Sequence, residues 1–247
     1  MDHEASQALA HLEQATTRLL AAIATMSDEQ AREPSLLPGW TRGHVLTHIA
    51  RNADAIGNLL RSARTGTQIP MYPSQHVRNA DIEAGAGRPA ADLLADVRAS
   101  AGALEAEAAS LPDEAWPAMV RARQRDIPAR ATLLMRLAEV EVHHVDLGLA
   151  YRPADWPATF PPPQLSRVAG AFVGREGVPE CLILPEGAEP LRIGPAVQAP
   201  GGPAADSRPI TVSGPAWNVL AWLTGRGDGS GLSVDPPGAP PSLPPWA

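Results

Sequence analysis

A proline-rich segment divides this sequence into two parts with different hydrophobic patterns. The segment reads RPADWPATFPPP at residues 152–163. Proline removes a backbone donor and fixes φ, so a long helix or a central strand does not run through such a segment. Apolar residues before it recur every three or four positions, and those after it form short runs between turns. We therefore predict a helical domain at 1–152, a small α+β domain at 160–236 and a proline-rich tail at 237–247.

The first part predicts four long helices, which together suggest a four-helix bundle. They are expected at about 9–26, 41–66, 89–110 and 129–150. The second of them has Thr41 as its N-cap and ends at Gly66. Part of the fourth, EVEVHHV, alternates like a strand. It nevertheless continues TLLMRL without a break, and the resulting length favours a helix.

The second part predicts four short strands and two helices, as in a small α+β domain. The strands are expected at 181–184 (CLIL), 191–193 (LRI), 210–212 (ITV) and 232–234 (LSV), and the helices near Gln164–Arg175 and Pro215–Thr224.

Composition excludes several classes of protein. The net charge of −7, with arginine but no lysine among the basic residues, argues against a nucleic-acid partner. The single cysteine, Cys181, excludes an internal disulfide and a cysteine-based zinc site. The N-terminal residues are acidic, and no apolar run approaches the roughly 20 residues of a membrane span. We expect a cytoplasmic monomer or homodimer without a membrane partner.

The segment LAEVEVHHVDLG carries the residues most suited to chemistry. Glu139 and His143 are four positions apart, so a helix would place both potential metal ligands on one face. Asp146 continues this stripe and could orient an imidazole or cap the helix end. Glu141 and His144 form a competing pair at a spacing of three. A pair is insufficient, because a catalytic zinc ion takes three protein ligands and keeps one open position.

The second helix offers two candidates for the third ligand. His44 and His48 are also four positions apart, and the second and fourth helices of an antiparallel bundle can face each other. Bundle cores often build metal sites in this way. The spacing does not choose between these histidines, and it also allows ordinary core or surface histidines.

The segments PGWTRGHVLTHIARNAD and EVEVHHVDLGLAYRPADWP resemble those of the mycothiol-dependent maleylpyruvate isomerases. The resemblance covers almost the whole chain, including SGPAWNVLAWLTGR. It implies a DinB-like four-helix bundle followed by a small α+β domain. It also implies that His48, Glu139 and His143 bind one zinc ion, with Glu141 and His144 outside the ligand set. Mycothiol is the second cofactor that the resemblance implies.

The implied activity is cis–trans isomerisation of maleylpyruvate to fumarylpyruvate. A thiolate would add to the conjugated double bond, allow rotation and then leave. A free thiol has a pKa of about 8.5 and is mostly protonated at neutral pH, whereas zinc binding removes its proton. Cys181 lies in a distant strand candidate, so a small external thiol is required. Zinc is preferred to nickel or iron because this ligand set tolerates it.

The substrate of such an isomerase is a dianionic keto acid, so arginines should face the metal. The resemblance points to Arg226 in LTGRGDG as the catalytic arginine. Arg78 and Arg88, in the connection after the second helix, are further candidates for binding the thiol cofactor or the substrate.

Two other functions fit the same bundle. A mycothiol S-transferase acting on other electrophiles would share the metal site but have a more apolar substrate pocket. A non-catalytic thiol- or metal-binding module would hold the ligand without turnover.

Overall fold

The computed structural model describes residues 3–195 and 209–246. The chain divides into two compact units, residues 1–150 and 151–247. The described helices are α1 His3–Ile23, α2 Asp28–Arg32, α3 Arg42–Thr65, α4 Gln75–Ala86, α5 Ala90–Ala109, α6 Ala131–Asp146, α7 Pro161–Gly170 and α8 Ala216–Thr224. The described strands are β1 Met119–Ala122, β2 Arg125–Pro128, β3 Cys181–Glu186, β4 Leu191–Ile193, β5 Ile210–Pro215 and β6 Ser233–Asp235. None of the described helices is both long enough and apolar enough to span a membrane.

The first unit is built on a four-helix bundle. Helix α3 packs against α5 and α6, and α1 packs against the same two helices. Their facing sides bury a continuous apolar core: Leu12, Leu19, Ile49, Ile56, Leu93, Val97, Leu104, Leu133 and Leu137. The predicted fold class, a helical bundle followed by a small α+β unit, is confirmed.

Helix α3 begins and ends where its capping residues predict. The Thr41 side chain accepts a hydrogen bond from the His44 backbone, and the His44 ring accepts one from the Thr41 backbone N–H at 3.1 Å. These reciprocal contacts satisfy donors that the first helical turn cannot pair internally. Gly66 ends the helix with φ of +68°, a conformation that glycine adopts without steric cost.

Helix α6 confirms the helical interpretation of EVEVHHV, although it is shorter at both ends than the predicted 129–150. It runs from Ala131 to Asp146, and Gly148 follows with φ of +65°. The strand-like alternation arises because Val140, Val142 and Val145 are all buried. In a helix these three valines pack on more than one side.

The four predicted helices leave out α2, α4 and the β1–β2 hairpin of the first unit. Helix α4 packs very closely on α3. A Cβ atom added at Gly43 would lie 2.1 Å from the carbonyl oxygen of Ala86, and one added at Gly85 would lie 2.4 Å from Cγ2 of Thr47. Glycine at both contact points therefore lets the two backbones approach.

The second unit contains a four-stranded sheet with strand order β4-β3-β5-β6. Strands β3 and β5 are parallel, and the two outer pairs are antiparallel. Cys181 is fully buried at the start of β3.

The proline-rich end has no helix or strand over its described part, residues 237–246. Side chains of the second unit hold it in place. Trp222 Nε1 donates to the Pro241 carbonyl at 3.0 Å, and Arg175 donates to the Pro245 carbonyl at 2.8 Å.

Candidate metal centre

Three potential ligand atoms from two bundle helices meet at one point. His48 Nε2 on α3 lies 2.9 Å from Glu139 Oε2 on α6 and 3.1 Å from His143 Nε2. The remaining pair, His143 Nε2 and Glu139 Oε2, are 3.3 Å apart. Among the described residues, this is the one group of three in which ligand atoms lie within 4.8 Å of one another. The structure thus brings together the three residues that the resemblance implies.

Asp146 orients the imidazole of His143. The two side chains meet at 2.8 Å between His143 Nδ1 and Asp146 Oδ2, and Asp146 is almost fully buried. A carboxylate bound to Nδ1 directs the other ring nitrogen towards the centre, which is the usual arrangement around a metal-binding histidine. The sequence allowed Asp146 either to orient an imidazole or to cap the helix end. This contact corresponds to the first role.

Burial and hydrogen bonds shift the pKa values of the two histidines in opposite directions. Burial lowers the pKa of His48 to about 4, so this imidazole is neutral at pH 7. Burial alone would also lower the pKa of His143, but hydrogen bonds with Asp146 and Glu139 raise it above its ordinary value. Burial alone would raise the pKa of Glu139, but hydrogen bonds from the two imidazoles hold it well below its ordinary range. Glu139 is therefore a carboxylate.

Arg78 on α4 contacts the outer nitrogen of His48. Its Nη2 lies 3.2 Å from His48 Nδ1, and a guanidinium group can only donate. Nδ1 is therefore the acceptor, and the single proton of neutral His48 lies on Nε2, where it is shared with Glu139. Ligation of a metal through Nε2 would place that proton on Nδ1. Arg78 could then no longer donate to this nitrogen.

The donor set fits a divalent metal such as zinc. Two imidazoles and one carboxylate are a common catalytic zinc set, with room for one further ligand. Convergence of the three ligand atoms supports this fit, as does the buried Asp146 behind His143. The contacts that raise the pKa of His143 also favour its protonated form, so a metal at this centre would compete with a proton for His143 Nε2.

Several polar residues around the three ligands were not predicted as site residues. Arg136 is 1% exposed and donates to the carbonyl of Ile49 and to Asn52. Burial raises the pKa of Tyr72, as does the charge of Glu139. Neither residue could be recognised as part of a site from the sequence. A lone arginine is usually exposed, and a lone tyrosine is usually only partly buried.

Trp40 also lies beside the site. Its ring is 5.7 Å from that of His48, edge to face, and 6.1 Å from that of His44.

The competing candidates lie outside the group of three. His44 caps α3 and meets Glu83 at 3.2 Å through Nε2. Glu141 is buried in an ion pair with Arg18 at 2.5 Å. His144 is buried on α6 but contributes no atom to the convergent set.

The three predicted arginines have different surroundings. Arg78 contacts His48 directly, as described above. Arg88 donates to Asp96 at 2.5 Å and to the Gly85 carbonyl at 3.1 Å. Arg226 belongs to the second unit, where it follows α8 and donates to the Thr224 carbonyl at 2.5 Å.

Comparisons with known proteins identify the family. A family model described as the mycothiol maleylpyruvate isomerase N-terminal domain matches residues 12–148, which is 137 of the 247 residues. A crystal structure of the mycothiol-dependent maleylpyruvate isomerase is similar with a TM-score of 0.87, and one of a histidine-to-alanine mutant of that enzyme with 0.86. Each is 27% identical and covers 98% of this chain and 97% of its own. No curated protein matches the sequence. The chain belongs to the mycothiol maleylpyruvate isomerase family.

Proposed function

We propose that this chain is a zinc- and mycothiol-dependent enzyme that isomerises maleylpyruvate to fumarylpyruvate in the cytoplasm, where small thiols are kept reduced. The observation that carries the proposal is the convergence of His48, Glu139 and His143 on two helices of the bundle. Family membership supports the thiol and the substrate, and the donor set supports zinc.

His48, Glu139 and His143 would hold the metal, and Asp146 would keep the His143 ring in its ligating orientation. When bound, zinc would act as a Lewis acid that lowers the pKa of a thiol at the open position. Two neutral imidazoles and one carboxylate leave a net positive charge on such a centre, which favours a thiolate over a thiol.

The thiol must come from outside the protein. Cys181 is fully buried in the second unit, and burial raises the pKa of its thiol to about 11. It is therefore protonated at neutral pH and closed to solvent, and neither property suits a nucleophile. The resemblance and the family both point to mycothiol.

Isomerisation by this route needs no oxidant or reductant. The thiolate sulfur forms a bond to one alkene carbon, and the alkene electrons move into the conjugated ketone to give an enolate. Rotation about the new single bond follows. The electrons then return, the carbon–sulfur bond breaks, and the trans double bond and the thiolate are restored.

Arg78 is the arginine best placed to bind a carboxylate of the substrate, because its guanidinium lies against His48. A guanidinium pairs with a carboxylate through two parallel hydrogen bonds. Arg226 as the catalytic arginine and Arg88 as a thiol- or substrate-binding residue remain predictions. To bind the thiol or the substrate, Arg88 would have to leave its ion pair with Asp96.

The test is an absorbance assay of zinc-loaded protein with maleylpyruvate, with and without mycothiol, and again after chelation. We expect loss of the cis-enone signal only when metal and thiol are both present. His48→Ala should remove zinc binding and turnover while the chain stays folded, whereas His44→Ala, at the capping position, should keep both.

Bound zinc without turnover of maleylpyruvate would overturn the isomerase assignment and favour transfer of the thiol to another electrophile. Absence of zinc binding would overturn the metal centre itself.

A further inference from the structure

Arg136 on α6 is a buried cation that the proposed chemistry does not use. Its side chain is 1% exposed, although arginine is rarely buried without a partner of opposite charge. Among the described residues, no carboxylate oxygen lies within the 4.0 Å of an ion pair. Enclosing a cation costs solvation free energy that neutral acceptors return only in part. Stabilisation of the fold alone therefore does not explain why an arginine is enclosed here.

Both hydrogen-bond acceptors of Arg136 belong to α3. Its Nη1 donates to the backbone carbonyl of Ile49 at 2.7 Å and to Oδ1 of Asn52 at 2.9 Å. Ile49 directly follows His48, and Asn52 lies one turn beyond it. Arg136 itself lies one turn before Glu139. One side chain thus joins the helix that carries His48 to the helix that carries the other two ligands.

The charge of Arg136 persists at neutral pH. Burial lowers its pKa to about 10, and the negative charge of Glu139 opposes that decrease. Both hydrogen bonds therefore have a charged donor, which makes them stronger than bonds between neutral groups.

The position of α3 along its axis determines whether the three ligands can meet. A slide by one residue would move His48 about 1.5 Å along the axis, which is several times the tolerance of roughly 0.2 Å in a metal–ligand distance. The hydrophobic effect is not directional, so burial of apolar surface does not by itself select one level of α3. A hydrogen bond to a backbone carbonyl, in contrast, fixes one helix against the other at a defined level.

We propose that Arg136 is a positioning residue that fixes α3 against α6, so that His48 stays within ligand distance of Glu139 and His143. This inference rests on the metal centre proposed above.

The experiment compares four forms of the full chain: wild type, Arg136→Met, Asn52→Ala and the control Arg98→Met, which replaces an exposed arginine of α5. Zinc affinity is measured by competition with a chromophoric chelator. Visible absorption of the cobalt(II)-loaded protein reports ligand geometry, and thermal unfolding of the metal-free protein reports stability.

We expect Arg136→Met to lower zinc affinity about tenfold to a hundredfold, as is typical when a residue supporting a metal ligand is lost. The cobalt bands should change in intensity and position. Asn52→Ala should act in the same direction but less strongly, because the bond to Ile49 remains. Arg98→Met should match the wild type.

A folded Arg136→Met protein with unchanged zinc affinity and cobalt bands would overturn the inference, even if it unfolds at a lower temperature. If that variant does not fold, Arg136→Lys takes its place, since it keeps the charge but not the forked geometry. Unchanged binding in both Arg136→Lys and Asn52→Ala would overturn the inference. A wild-type chain that binds no zinc would overturn the metal centre, and this inference with it. A wild type that binds zinc, together with variants that bind it equally well, would overturn this inference alone.

Discussion

The two ring nitrogens of His48 face different hydrogen-bond partners, an acceptor at Nε2 and a donor at Nδ1. Nε2 points at Glu139 and His143, whereas Nδ1 accepts a hydrogen bond from Arg78. Zinc ligation through Nε2 needs the proton on Nδ1, so the Arg78 contact stabilises the tautomer that does not bind metal. Arg78 and zinc would therefore compete for the same imidazole.

We accordingly expect Arg78→Met to bind zinc at least as tightly as the wild type. The same variant should lose about tenfold or more in kcat/KM for maleylpyruvate, because a charge-assisted pair with a substrate carboxylate is lost. Arg78→Lys, which keeps the charge, should recover part of that loss. Chelator competition and the absorbance assay measure the two effects separately. A drop in zinc affinity for Arg78→Met would show that Arg78 supports the metal ligands instead.

Spacing alone narrowed the ligand candidates but did not choose between His44 and His48. The two histidines are four residues apart, so both lie on the same face of α3. What excludes His44 is its place three positions after the N-cap Thr41, where its ring completes the capping box. Such a pattern is readable in a sequence, although Glu or Gln is the usual residue there. Arg136 could not be predicted, because only tertiary packing shows that it is buried.

At the scale of the elements, α4 was missed because its sequence offers little helical periodicity. Val77 and Ile82 are its only large aliphatic residues, and Gly85 and Ala86 are among the residues it buries. Its helical conformation depends on close packing against α3, which hydrophobic patterns do not report. The long helices α3, α5 and α6 were predictable because each carries an apolar face, although the ends of α6 were predicted too far out.

The close α3–α4 contact predicts opposite effects for two glycines of α3. Gly43→Ala places a methyl group 2.1 Å from the Ala86 carbonyl oxygen, so we expect a loss of about 1–3 kcal/mol in the free energy of unfolding. Gly57→Ala meets no heavy atom within 4 Å and should be neutral or stabilise by up to about 1 kcal/mol. Urea unfolding of the metal-free protein measures both. Equal stability of the two variants would show that α4 can move away from α3 at little cost.

At the scale of the whole molecule, binding of a metal at the proposed centre would be linked to pH through His143. Its pKa in the metal-free protein is raised above the ordinary value, so a proton competes with zinc for Nε2 up to a higher pH than at an ordinary histidine. His48, with a pKa of about 4, is already neutral and releases none at pH 7. Zinc affinity should therefore fall as pH decreases through the raised pKa of His143, by about tenfold per pH unit below it.

Titration calorimetry in two buffers with different ionisation enthalpies counts the protons released. Without thiol, we expect the number of protons released per zinc to rise as the pH is lowered. Asp146→Asn removes one of the contacts that raise the pKa of His143, so it should release fewer protons. Proton release by the wild type that stays the same at every pH would contradict the raised pKa of His143.

The proposed metal ligands and the proposed substrate-binding arginine lie on different helices, so the two can change separately among related proteins. The proposed metal ligands lie on α3 and α6, whereas Arg78 lies on α4, which is held to α3 at two glycine contacts. Residues 75–86 can therefore vary around those contacts without altering the metal ligands. Exchanging this segment between related proteins is a route to a new electrophile preference on an unchanged catalytic centre, both in evolution and in the laboratory.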